Sequence, residues 1–237
     1  MNLTGRLAVI TGGTEGIGRA IAFALGKAGA QVAICARTDK NVQSTLQALR
    51  EAGVDAVGQP CDVADPAAVA SFAQMVARDR GDAAVLVNNA GIGRFATLEQ
   101  LSLEDWDATM GVNLRSLYLV TRAFLPALQR SAPSSIVNIA SLAGRNGIEG
   151  GTAYCASKHA VLGFSKALML EVRKSQVRVV AVCPGSVATP FMDKQSRLRP
   201  NRERVLTAED VAETVCATLT LPDRAMISEL DIRPTNP

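Results

Sequence analysis

The chain has 237 residues, 48% of them hydrophobic and 20% charged, enough for one large α/β domain with a substantial core and too few for a second full domain. Its formal charge of +3 is not gathered into a long Lys/Arg run and comes with only six phenylalanines, two tyrosines and one tryptophan, so nucleic-acid binding is disfavoured. A single histidine, His159, excludes multi-histidine metal sites, and no metal is expected.

In chain order, short runs rich in Val, Ile and Ala at 7–11, 31–36, 56–59, 84–88, 135–140, 177–183 and 226–232 read as strands. Amphipathic stretches at 17–28, 40–52, 66–79, 104–130, 152–175 and 207–220 read as helices between them. The strands are continuously apolar rather than alternating, the pattern of a parallel sheet covered on both faces. The expected fold is therefore a single doubly wound (Rossmann) α/β domain of about seven parallel strands spanning 1–237. Gly29 and Gly53 follow the first two helices, and Pro66 falls in the first turn of the third. Pro126 predicts a kink or an early end within 104–130. The least periodic stretch, 188–206, carries Pro190, Pro200, Lys194, Arg197, Arg199, Arg202 and Arg204 and reads as a mobile loop.

The first strand runs into Thr11-Gly12-Gly13-Thr14-Glu15-Gly16-Ile17-Gly18 and then a helix. Glycines at such a turn let the backbone approach a ligand, and the helix N-terminus offers N–H groups to a phosphate. The spacing Gly-x-x-x-Gly-x-Gly differs from Gly-x-Gly-x-x-Gly, and a tight turn without a ligand is the plainer alternative. At the end of the second strand, where a dinucleotide fold contacts ribose, the sequence reads Cys35-Ala36-Arg37-Thr38. A guanidinium there suits a 2′-phosphate, so NADP(H) is favoured over NAD(H), with Glu15 in the glycine turn arguing mildly the other way. Asp62-Val63 after the third strand and Asn88-Asn89-Ala90-Gly91 after the fourth lie where ligands collect in open α/β sheets, although each alone is an ordinary turn.

Ser141 lies just past the fifth strand, so its hydroxyl can reach into the same crevice; alone, it would pass as a cap or turn residue. Asn113 alone would pass as a poor helix former on a surface. Tyr154 and Lys158 stand four residues apart on a helical stretch, on one face. A fixed ammonium beside a phenol is expected to lower the phenol's pKa from its usual value of roughly 10. By itself such a pair is most often a solvated face.

Cys35, Cys61, Cys155, Cys183 and Cys216 are odd in number and widely spaced, with no Cys-x-x-Cys pair. They read as buried free thiols in a reducing compartment. The chain start leaves no room for a charged segment followed by an apolar one, and no apolar run approaches the roughly 18 residues of a membrane span. The expected location is cytoplasmic, with no membrane partner.

Taken together, Thr11-Gly12-x-x-x-Gly16-x-Gly18, Asn88-Asn89-Ala90-Gly91, Asn113, Ser141, Tyr154-x-x-x-Lys158 and Pro184-Gly185 followed by Thr189 resemble the short-chain dehydrogenase/reductase family over essentially the whole chain. The resemblance implies hydride transfer between NADP(H) and a carbonyl or secondary alcohol. It makes Tyr154 the acid/base, Lys158 the group that lowers its pKa and binds the nicotinamide ribose, Ser141 the anchor of the substrate oxygen, and Asn113 the holder of a water-linked proton relay. It implies cofactor contacts from Gly12, Thr14, Glu15, Gly16, Ile17, Gly18, Arg37, Thr38, Asp62, Val63, Asn89, Ala90, Gly91, Tyr154 and Lys158. Pro184, Gly185, Val187 and Thr189 would meet the nicotinamide, and 188–206 would form a variable substrate lid whose arginines could attract an anionic substrate or carrier. The expected substrate is a small carbonyl or alcohol or an acyl thioester. Apolar helices at 104–130 and 152–175 resemble the family's paired-helix interface and suggest a homodimer or homotetramer. The ending Ser228-Glu229-Leu230-Asp231-Ile232-Arg233 departs from the family's usual Gly-rich tail, which argues against a direct transfer of the 3-oxoacyl-carrier-protein reductase label. A non-catalytic dinucleotide-binding regulatory protein of the same fold is the alternative from another class.

Overall fold

The computed structural model describes residues 1–193 and 204–235. Seven parallel strands, β1 Leu7–Thr11, β2 Gln31–Ala36, β3 Ala56–Pro60, β4 Val85–Asn88, β5 Ser134–Ile139, β6 Val177–Pro184 and β7 Glu229–Ile232, form one sheet in the order β3-β2-β1-β4-β5-β6-β7. The helices are α1 Gly16–Lys27, α2 Asp39–Glu51, α3 Pro66–Arg80, α4 Leu103–Met110, α5 Ser116–Arg130, α6 Thr152–Val172, α7 Pro190–Asp193 and α8 Ala208–Leu219.

Successive strand residues point to opposite faces, so each central strand supplies both halves of the core. Ala8, Ile10, Val32 and Ile34 meet Ile21 and Leu25 of α1, Leu46 of α2 and Val215 of α8. Leu7, Val9, Ala33 and Leu86 meet Phe72 of α3, Phe124 of α5 and Leu168 of α6. This two-sided burial is why β1, β2 and β4 read as largely apolar runs, while β5 and β6 bury Ser134, Ser135, Asn138 and Arg178 among their apolar residues. Because β1 sits between β2 and β4, the chain leaves it in one direction and returns on its other side. The connections after β1 and β4 then diverge and open a crevice at the carboxyl ends of the strands.

Four details depart from expectation. The helical stretch at 104–130 is interrupted by a five-residue π turn, Gly111–Arg115, between α4 and α5. Pro126 neither ends nor shortens α5, which runs on to Arg130. The proline and Arg122, whose carbonyl loses its partner, both lie on the exposed side, while Val120, Phe124 and Leu128 carry the packing. The last strand begins only at Glu229, because the buried Arg178 binds the carbonyls of Leu219, Leu221 and Ala225 and holds the preceding chain in a turn. All five cysteines are free thiols, but Cys155 and Cys216 are only partly buried.

Of the stretch 188–206, residues 194–203 lie outside the described residues. Its two ends are tied together by a bridge between Val187 and Leu206 and by the Ala188 N–H donating to Leu206 O at 2.8 Å. Among the described residues, no helix is long and apolar enough to cross a membrane.

Candidate active site

A cleft of about 510 Å3 runs along the carboxyl ends of the strands from the turn after β1 to α7. Its floor is the glycine turn. Gly12 and Gly16 adopt φ of +64° and +52°, a region that a side chain disfavours. At Gly18 a Cβ would collide with Asn89 Nδ2 and Gly12 O, so this glycine lets α1 sit close under the turn and does not itself line the cleft. Thr11 Oγ1 accepts the N–H groups of Asn89 (3.0 Å) and Ala90 (3.1 Å), and Asn89 Nδ2 donates to Thr11 O at 2.9 Å. The Asn89 amide is therefore spent on locking the glycine turn to the end of β4.

Helices α3, α4 and α8 are each capped by a side chain, Asp65, Ser102 and Thr207 respectively. Helices α1 and α2, whose first turns border the cleft, have no side-chain cap, so their first N–H groups remain available to a ligand. Thr14, Glu15, Ile17, Arg37, Thr38, Asp62 and Val63 line this part. Arg37 is exposed and makes no hydrogen bond or ion pair with another described residue. Asp62 Oδ1 accepts the N–H of Ala64 at 2.9 Å.

At the other part of the cleft, Ser141 lies two residues past β5, and its Oγ accepts the Ala143 N–H at 3.1 Å to start a single turn, Leu142–Gly144. A Cβ on Gly144 would lie 2.7 Å from Lys158 O, so only glycine lets this turn lie flat on α6. Ser141 and Tyr154 both line this part of the cleft. Burial pushes the phenol up to about 12, and the neighbouring Ser141 hydroxyl acts in the opposite sense. Burial likewise pushes Lys158 down to about 8. Its Nζ donates to Ile139 O at 2.9 Å and stands 5.8 Å from the centroid of the Tyr154 ring. The expected lowering of the phenol by the lysine is thus not what the protein alone produces: desolvation outweighs the ammonium, which is bonded elsewhere.

Asn113 occupies the π turn and is buried at 4% exposure. Its Nδ2 donates to Ile92 O (2.9 Å) and Ser157 Oγ (3.0 Å), while its Oδ1 accepts the Ile92 N–H (2.8 Å). It is not a surface residue, and its side chain does not bond Lys158. Both residues line a second cavity of about 10 Å3, room for roughly one water. Gly91 separates them, since a Cβ there would lie 3.4 Å from Asn113 Oδ1 and 3.7 Å from Lys158 Nζ. Pro184, Gly185, Val187 and Thr189 line the main cleft after β6, and Thr189 packs its methyl against Gly16.

The chain matches the family model for short chain dehydrogenases over residues 6–199. It belongs to that family. It is accordingly an oxidoreductase of alcohol and carbonyl groups. It is 37% identical to the 3-oxoacyl-acyl-carrier-protein reductase of Haemophilus influenzae, covering 81% of this chain and 78% of that one. It is 36% identical to the D-beta-hydroxybutyrate dehydrogenase of Rhizobium meliloti, covering 89% and 82%. A structure of a variant actinorhodin polyketide ketoreductase with NADPH superposes with a TM-score of 0.90 at 34% identity, over 97% of this chain and 96% of that one.

Within this family member, sequence reasoning missed the apolar side chains around the phenol. Phe95, in the connection after β4, and Phe191, on α7, pack on the Tyr154 ring with centroids 5.3 and 5.9 Å away. Leu142, Ile148 and Met192 are further apolar residues lining the cleft. No local pattern marks them, because their role depends on which loops meet over β5 and β6. Asn41 at the first turn of α2 was also missed, although its distance from Arg37 on an uncapped helix start was a usable signal.

Proposed function

We propose that the chain reduces a ketone, or oxidises the matching secondary alcohol, with NADP(H), through Ser141, Tyr154, Lys158 and Asn113. The observation that carries this reading is that Ser141, Tyr154 and Lys158 line one cleft together with the first turns of two helices whose N-termini have no side-chain cap.

The residues fit the cofactor. The turn held at positive φ by Gly12 and Gly16 leads into the uncapped first N–H groups of α1, which would receive a pyrophosphate, with Thr14, Glu15 and Ile17 around it. Arg37 and Thr38, with the start of α2, suit a 2′-phosphate, which is the basis for preferring NADP(H). Asp62 and Val63 would border the adenine. The backbone of Asn89, Ala90 and Gly91 would form the crevice wall, and Pro184, Gly185, Val187 and Thr189 would hold the nicotinamide. Bound there, the nicotinamide supplies or accepts a hydride at C4.

In reduction, Tyr154, protonated at neutral pH with a pKa of about 12, gives its proton to the carbonyl oxygen as the carbon gains hydride. Ser141 donates a hydrogen bond to the same oxygen and carries part of its growing negative charge. Lys158 binds ribose hydroxyls and, through a water in the small cavity beside Asn113, returns a proton toward Tyr154. In oxidation Tyr154 must instead accept the proton, which requires positive charge near its oxygen. Consumption of NADPH on adding a ketone tests the activity, and Tyr154→Phe should abolish turnover while NADPH still binds. Near-wild-type turnover in that variant would sink the mechanism.

The same reading extends to a single domain over 1–237 with a substrate lid at 188–206. It extends also to a homodimer or homotetramer through the exposed Tyr118 and Leu170 of α5 and α6, and to a reducing, cytoplasmic location suited to five free thiols. Scattering in solution tests the assembly.

A further inference from the structure

The charged side chains lining the cleft are divided unevenly. Glu15, Arg37 and Asp62 follow β1, β2 and β3, toward one edge of the sheet. Beside β5 and β6 the only charged lining residue among those described is Lys158, and its ammonium is engaged by Ile139 O at 2.9 Å. Phe95 and Phe191 pack on the phenol, and Leu142, Ile148 and Met192 line the same cleft; all five are apolar and only partly buried. They come from three separate segments, the connections after β4 and β5 and helix α7.

We propose that these five residues form an apolar acceptor for the substituent on the reacting carbonyl, and that the substrate is a neutral ketone with an aryl or bulky alkyl group, not a small oxo acid. The inference rests on the reading of Tyr154 and Ser141 as the carbonyl-binding pair. Seating the oxygen at those two hydroxyls directs the rest of the molecule toward the Phe95 and Phe191 rings, whose centroids lie 5.3 and 5.9 Å from that of Tyr154. An aromatic substituent can stack or meet them edge to face at such spacings. A carboxylate there would lose its hydration without gaining a described cation as partner, a cost that lowers its binding. The rival is a carboxylate met by basic side chains of 188–206, of which only Arg204 is among the described residues.

A matched series of 3-oxo compounds decides between them: acetoacetate, its ethyl ester and ethyl benzoylacetate, each assayed with NADPH and the wild-type protein. The expected order of kcat/KM is ethyl benzoylacetate above ethyl acetoacetate above acetoacetate, each step at least about tenfold. Phe95→Ala and Phe191→Ala should lower kcat/KM more for the benzoyl ester than for the ethyl ester. Phe95→Leu, which keeps bulk without the ring, guards against a folding defect, as does NADPH binding followed by its fluorescence. Acetoacetate turned over as well as its ester, or an equal loss for both esters in the alanine variants, would overturn the inference while leaving the reductase reading intact. Failure of all three compounds to consume NADPH would bring down both.

Discussion

Lys158 and Tyr154 share one face of α6 without bonding to each other: the ammonium donates to Ile139 O at 2.9 Å and lies 5.8 Å from the phenol's ring centroid. Both groups are displaced toward their neutral forms, the phenol up to about 12 and the ammonium down to about 8. In the protein alone, then, Tyr154 is a proton donor held ready and a poor proton acceptor. A positive charge brought close to its oxygen by an oxidised nicotinamide would pull the phenol down again. The ultraviolet difference spectrum between wild type and Tyr154→Phe should accordingly show no tyrosinate signal from Tyr154 below about pH 11 in the free protein. Saturating NADP+ should move that signal to lower pH. Ionisation near pH 7–8 in the free protein would contradict the burial-dominated site.

The same burial makes a stability prediction with a definite sign. Lys158 titrates at about 8 in the folded protein against an ordinary lysine value of 10.5, so between those values the unfolded chain binds more protons and stability rises with pH. The penalty for keeping the ammonium buried is fully present below about pH 8 and is relieved by about pH 10.5. Chemical unfolding of the cofactor-free protein should therefore show wild type gaining on Lys158→Met across that window, by up to about 3 kcal/mol. Tyr154, raised, acts in the opposite sense only above about pH 10. Parallel pH dependences in the two proteins would remove the buried ammonium from the account.

Arg37 is the cofactor-selecting side chain under the proposed function, exposed at the cleft with no described partner to replace. Arg37→Asp removes a phosphate donor and places a carboxylate where a ribose 2′-hydroxyl can donate to it. The ratio of NADPH to NADH affinity should fall by about a hundredfold, the scale of a lost charge-assisted pair and an added repulsion. Fluorescence titration of both cofactors measures it, and an unchanged ratio would move phosphate recognition to Thr38, Asn41 or Thr14.

How far these features could be read from the sequence depends on the range of the forces that set them. The order of strands and helices was legible because strands buried on both faces are largely apolar along their whole length, as in the Leu7–Thr11 and Val85–Asn88 strands. The glycine turn was legible because φ of +64° at Gly12 and +52° at Gly16 narrows the residue choice locally. The π turn at Gly111–Arg115 was not, since the apolar face passes through it almost without a break in period. Phe95 and Phe191 reach Tyr154 from remote segments, and the direction of the Tyr154 shift follows from burial by those segments. Neither is encoded within helical spacing.

Asn113 shows what the π turn is for. Bulging the helix by one residue turns the Asn113 amide inward, where three hydrogen bonds to Ile92 and Ser157 fix the connection after β4 against α6. Asn113→Ala leaves the Ile92 N–H and C=O without those partners in a part-buried setting, at a cost of about 1–2 kcal/mol. Thermal or urea unfolding should show that loss alongside reduced turnover. Unchanged stability with lost activity would instead confine Asn113 to the proton relay.

The unusual ending of the chain makes contact with the site through Arg145, which follows the one-turn helix begun by Ser141. Its Nη2 lies 2.8 Å from Glu229 Oε2 and its Nε 2.5 Å from Asp231 Oδ1, both on β7. Lys166 and Arg233 extend the network at 3.0 and 3.2 Å. At the end of β7, Ile232 O accepts the Gly185 N–H at 2.8 Å, so this edge strand is tied both to the Ser141 connection and to the backbone after β6. Exposed ion pairs contribute little singly, but an arginine shared between two carboxylates within a network retains more of its Coulombic gain. Arg145→Leu should lower stability by about 1 kcal/mol in dilute buffer. Because salt screens the wild-type pairs, the difference should shrink in about 1 M NaCl, where the Debye length is near 3 Å. Urea unfolding at both salt concentrations measures it. A deficit that persists undiminished in high salt would assign the effect of Arg145 to packing of its aliphatic stem on β7 rather than to its charge.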